Sequence, residues 1–113
     1  MRTVTLEISP RAEMDRRFVR AMAGQAQGAF ITFETPSLLF KVLTQKRWDL
    51  LAQLTGAGEV SIREAARRVG RDVKAVHGDV HALLAAGFLE KTGDGRIVFP
   101  YDAVRVSFIL QAA

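Results

Sequence analysis

Five cations fall within one short stretch, SIREAARRVGRDVKAVHGDVHALLAA over residues 61–86: Arg63, Arg67, Arg68, Arg71 and Lys74. Guanidinium and ammonium groups in such a cluster suit phosphate oxygens, which they meet through charge-assisted hydrogen bonds. The same run carries both histidines of the chain, His77 and His81. Two imidazoles four residues apart share a helix face and can ligate a metal. No third ligand stands nearby, however, and the intervening acid of a metalloprotease is missing, so no metal site is expected; phosphate hydrogen bonding or packing accounts for the pair. Asp72 and Asp79 have no nucleophile or paired acid spaced to work with them, and read as a helix cap and an ion-pair partner. Gly93-Asp94-Gly95 lacks the lysine and serine of a phosphate loop and is a hairpin turn. Without an acid, base or nucleophile constellation, the residues point to a binding protein that needs no cofactor, not to an enzyme.

The elements that must position these cations are legible around them. Ser61 and Glu64 form an S-x-x-E capping box, and Ile62, Ala65, Ala66 and Val69 recur at helical spacing until Gly70. Asp72 is a good N-cap for a second helix with an apolar stripe of Val73, Val76, Val80, Leu83 and Leu84. The opposite face carries Arg71, Lys74, Ala75, Gly78, Ala82 and Ala85, basic at its first turn and small along its middle. Two helices, a tight glycine turn and a small basic face are what a helix-turn-helix needs to approach a phosphate-lined groove.

Thr3 to Ile8 alternates as a half-buried strand, and Ser9-Pro10 opens a helix whose stripe is Met14, Phe18, Ala21 and Met22, with Arg11, Arg16, Arg17 and Arg20 largely off it. Ala29 to Glu34 reads as a second strand. Residues 1–34 thus form a β-α-β unit, too small to stand alone. Thr35-Pro36 starts a short helix with Leu38, Leu39, Val42 and Leu43, expected to be largely buried. Thr44 caps a further helix over Gln45 to Leu54, with Trp48, Leu51 and Leu54 facing the core and Lys46, Arg47 and Asp49 outward, until Gly56-Ala57-Gly58 breaks it. Beyond Gly87, Phe88 to Thr92, a glycine turn and Arg96 to Phe99 make a hairpin, which directly after a recognition helix is a wing. Val104, Val106, Phe108 and Leu110 then alternate in a last strand.

From about Phe33 to Asp102 this order resembles winged-helix transcriptional regulators of the MarR-like class. Leu43 to Arg47, Ser61 to Arg67, Gly70 to Val80 and Leu84 to Leu89 resemble, more narrowly, a family of small prokaryotic DNA-binding proteins encoded beside TumE-type toxins and taken to be their antitoxins. The resemblance implies a repressor of its own gene and a small toxin as partner.

Composition fits one small domain. The 113 residues carry 16 Lys+Arg against 12 Asp+Glu, a net charge of +4, which favours a polyanionic partner. Cysteine is absent, which excludes disulfides and thiolate zinc sites. No apolar run is long enough to span a membrane, and Glu7 and Pro10 interrupt any signal-peptide core, so a soluble cytoplasmic protein is expected, and the resemblance implies a prokaryotic one. The fold class is α+β: a winged helix-turn-helix over residues 35–113 with an N-terminal β-α-β extension over 1–34 for dimerisation or partner binding. The partners are double-stranded DNA, a second copy of the chain and a small toxin. The DNA-binding residues are Ser61, Arg63, Arg67, Arg68, Arg71, Lys74, Ala75, Gly78, His81, Lys91 and Arg96. Helix 72–85 would enter the major groove, Arg71 and Lys74 reading base edges from its first turn, and wing 88–99 would lie on the backbone. The competing class is a winged-helix module that binds proteins and no specific DNA.

Overall fold

The computed structural model describes residues 1–9 and 29–112. The helix expected from Pro10 to Gly24, with its four arginines, lies outside the described residues. The rest is a mixed α+β chain: β1 (Thr3–Ile8), β2 (Ala29–Phe33), α1 (Pro36–Val42), α2 (Gln45–Leu54), α3 (Ile62–Val69), α4 (Val73–Ala85), β3 (Glu90–Lys91), β4 (Ile97–Val98) and β5 (Ala103–Ser107).

Each described helix begins where a short polar side chain takes an otherwise unbonded amide. Thr35 accepts from Leu38 N, Thr44 from Arg47 N, Ser61 from Glu64 N and Asp72 from Lys74 N. α3 stops at Gly70, whose φ of 66° is left-handed and whose amide returns to Ala66 and Arg67 carbonyls.

Two sheets frame the helices. β1 is the middle strand of a three-stranded sheet, order β2-β1-β5, parallel to both neighbours. Leu6 sits opposite Ile31 on one side and Val106 on the other, so the even-numbered residues of β1 lie on one face with Ala29, Ile31, Phe33 and Val104. The N-terminus is tied to the end of the chain by Arg2 N donating to Asp102 Oδ2 at 2.8 Å and by the Arg2 guanidinium over the Tyr101 ring. β3 and β4 form an antiparallel hairpin, and Val60 bridges to Ile97 from the other side through two backbone bonds of 2.9 and 2.8 Å.

One cluster of buried residues joins these parts: Val4 and Leu6 of β1, Leu39, Leu50, Leu51 and Leu54, Val60, Ala65 and Ala66, Val76, Val80 and Leu83, and Phe88, Leu89, Ile97 and Phe99. The apolar stripes of α2, α3 and α4 therefore converge as their helical spacing predicts.

Four expectations about burial or extent are corrected. Trp48 is 39% exposed, because the buried stripe of α2 runs through Leu50, Leu51 and Leu54 and leaves the indole at its margin. α1 is not largely buried. It spans less than two turns and sinks only Leu39, while Leu38 and Phe40 stay exposed and the Phe40 ring meets Phe108. Arg47 does not face outward, as its partners below explain. The last strand ends at Ser107, where pairing with β1 stops, so Leu110 is exposed beyond it. A surface cavity of about 310 Å³ results, lined by Leu39, Phe40, Leu43, Trp48, Val106 and Phe108 among others, and a second one lies between Trp48, Leu51 and Val104.

Candidate nucleic-acid interface

α3 and α4 are joined by the turn Gly70 to Asp72, which brings the basic residues of the first to the N-terminal turn of the second. A groove of about 450 Å³ between them is lined by Ser61, Arg63, Glu64, Ala66, Arg67, Arg71 and Val73. On α4 the exposed row is Lys74, Ala75, His77, Gly78 and His81, with Val76, Val80 and Leu83 buried behind it. A methyl group at Gly78 would meet nothing within 4 Å, so the middle of this row is open surface with exposed backbone.

The cations of the cluster are not equivalent. Glu64 takes Arg67 Nε at 2.9 Å on one oxygen and Arg68 Nε at 2.9 Å on the other. Hydrogen bonds from Arg67 and then Arg68 lower the Glu64 pKa to about 2. Arg71 Nη2 lies 2.8 Å from Asp79 Oδ2, and its side chain is only 22% exposed. Asp79 Oδ1 in turn accepts from Arg47 Nε at 3.0 Å, and Arg47 Nη1 donates to the Val42 carbonyl at 2.9 Å. Burial raises the Asp79 pKa, but the hydrogen bonds from Arg47 and Arg71 and their charges outweigh it, and the net shift is downward. Arg63 and Lys74 make no ion pair among the described residues, and both are exposed.

Ser61 is occupied as the α3 cap, its Oγ accepting the Glu64 amide at 3.0 Å. The hairpin places Lys91 on β3 and Arg96 just before β4, both exposed. Arg96 Nε lies 3.5 Å from Asp94 Oδ2, while Asp94 Oδ1 accepts the Thr92 hydroxyl at 2.6 Å. That hydroxyl bond, with the Arg96 amide and charge, lowers the Asp94 pKa. The left-handed Gly95, φ 83°, closes the turn.

Sequence reasoning gathered the clustered cations on α3 and α4 and misjudged how they are engaged. It gave Arg71 to the open face, whereas the side chain turns back onto Asp79. It also missed Arg47, whose link to Asp79 spans 32 positions and leaves no local signature. The signal within reach was Asp79 itself, the one carboxylate within α4, with Val76 and Val80 beside it.

No curated protein and no solved structure matches the chain. No helix among the described residues is long and apolar enough to cross a membrane. The HVO_A0114 family model matches residues 42–106, a span that holds every residue of the candidate interface. More than half of the sequence lies inside that match, and the chain belongs to the HVO_A0114 family.

Proposed function

We propose that this chain is a winged-helix DNA-binding regulator of the prokaryotic cytoplasm, with α4 in the major groove and the β3–β4 hairpin as a wing on the backbone. The observation that carries this reading is the exposed row Lys74, Ala75, His77, Gly78 and His81, with a cation at its entry and the small Ala75 and Gly78 within it. Such a face lets helix backbone approach base edges closely, while the exposed Arg63 of α3 and the exposed Lys91 and Arg96 of the hairpin are the cations proposed to meet phosphates. Arg67 and Arg68 add positive charge that Glu64 holds in place.

Palindromic operators call for a two-fold dimer. β5 is an edge strand among the described residues, and Phe40, Trp48, Val106 and Phe108 lie exposed beside it. Pairing of β5 with a second copy would continue the sheet and cover that apolar surface, so a homodimer is part of the proposal. The antitoxin role and the toxin partner rest on the resemblance described above, and the arginine-bearing helix assigned to that partner falls outside the described residues.

One observation favours the alternative, a winged helix that binds a protein: three of the five clustered cations already have carboxylate partners. Salt dependence separates the two. A DNA reader loses duplex affinity steeply as salt rises, with a slope set by the phosphates it neutralises. Fluorescence anisotropy on random and operator-selected duplexes across a salt series is the test, and no duplex binding at low salt would exclude the DNA reading.

A further inference from the structure

The chain has two histidines, and α4 holds them together: His77 Nε2 and His81 Nε2 are 3.1 Å apart, with ring centroids at 4.2 Å and planes inclined by 47°. Both rings are exposed and bring the same nitrogen, Nε2, together. Imidazole nitrogens bind Zn(II) at about 2.0–2.1 Å, which separates two ligands of one ion by roughly 3.3 Å at a tetrahedral angle and roughly 2.9 Å at a right angle. The observed separation lies between these values. One turn of helix therefore already sets the two nitrogens at chelating distance, so an ion can enter without backbone rearrangement. Without an ion, one imidazole donates its Nε2–H to the other; for a metal to take both Nε2 lone pairs, the donating ring shifts to its Nδ1–H tautomer and both rings stay neutral.

The geometry points to His77 and His81 as a two-imidazole site for a borderline transition-metal dication such as Zn(II), Ni(II) or Cu(II). Imidazole selects these ions over Mg(II) and Ca(II), which prefer oxygen ligands. Among the described residues no carboxylate completes a three-residue set. Asp79, the nearest in sequence to both, is taken by Arg47 and Arg71, and Asp72 caps the helix. The remaining coordination positions are thus left to water or to the same pair of a second copy. The absence of a third ligand, which argues against a structural zinc site, leaves an open and exchangeable one. The site stands whether or not α4 enters DNA.

The test is calorimetric titration of the full-length, tag-free protein with Zn(II) and with Ni(II), Mg(II) serving as control. In parallel, the histidine ring nitrogens are followed by ¹⁵N NMR as Zn(II) is added. One Zn(II) per chain, or one per two chains if two pairs share it, is expected, with the Nε2 signals of both histidines shifting together. His77→Ala and His81→Ala should each weaken binding by at least the roughly 10–100-fold that loss of a supporting outer-shell partner costs. Both positions are exposed and alanine favours helix, so circular dichroism should be unchanged. Zn(II) binding that survives the double substitution, signals that move for one imidazole alone, or no binding beyond that of Mg(II) would overturn the site.

Discussion

The Arg71 guanidinium is held 2.8 Å from the Asp79 carboxylate, so the residue at the entrance of α4 with the longest reach is turned back toward the body of the protein. The carboxylate also takes Arg47 from α2 at 3.0 Å. One acidic side chain thereby fixes α4 against both α2 and the turn that precedes it. The link ties α4, which carries the proposed recognition row, to α2 and to the turn before it.

Asp79→Asn should destabilise the fold by about 1–3 kcal/mol, because it leaves two partly buried guanidinium groups without a counter-charge. Urea unfolding followed by circular dichroism measures this. An unchanged midpoint and slope would mean that the link adds nothing to the fold.

Duplex binding should divide the cations by their engagement. Arg63→Ala and Lys74→Ala each remove a cation with no competing partner and should reduce the salt slope by about one unit. Arg67→Ala and Arg68→Ala should weaken binding to specific and random duplex alike, by less, since Glu64 already offsets them. Lys74→Ala should also reduce discrimination between sites, as should Arg71→Ala if the guanidinium leaves Asp79 on binding. Affinity at low salt that is indifferent to all five substitutions would sink the DNA reading.

Gly78 separates stability from function. It lies in the interior of α4 with open space around a would-be Cβ, so Gly78→Ala should stabilise the helix by about 1 kcal/mol. Gly78→Leu should fold equally well and lose duplex affinity, because the added side chain occupies the surface that must approach the groove. A leucine variant with full duplex affinity would show that α4 does not come close to the bases.

Glu64 gives a pH signature of defined sign. Its pKa is lowered in the fold from 4.5 to about 2, so its contribution is present above 4.5 and is lost as pH falls toward 2. The difference in thermal midpoint between wild type and Glu64→Gln should therefore be greatest at neutral pH and shrink across that window. The effect should be small, since these ion pairs are solvent-exposed. A difference that grows on acidification would contradict the assignment.

Sedimentation velocity should find a dimer at tens of micromolar protein. Val106→Lys, on the edge strand beside the apolar cavity, should yield monomers that keep their circular dichroism. Removing residues 1–34 takes away β1, the middle strand, and should leave aggregates or monomers. A monomeric wild type at the same concentration would remove the dimer from the proposal.

The helices could be placed from sequence because what starts and stops them is local. Thr35, Thr44, Ser61 and Asp72 each bond an amide two or three residues on, and Gly70 ends α3 through its own left-handed backbone. β1 and the hairpin were legible for a similar reason, since alternation and turn glycines act within a few residues. The packing partners were not. Whether Trp48 is covered depends on what lies over α2, and whether Phe40 is covered depends on where β5 ends; neither leaves a trace in neighbouring residues. The same holds for the candidate interface: spacing could gather its clustered cations on two helices, but which remain open was decided by carboxylates that reach them in space. Asp79 could be read from sequence as an ion-pair partner, but its choice of Arg47 and Arg71 follows from the convergence of α2 and α4 on one core. Tertiary packing alone creates that proximity, because a charge pairs with whatever the fold brings within a few ångströms, however distant in the chain.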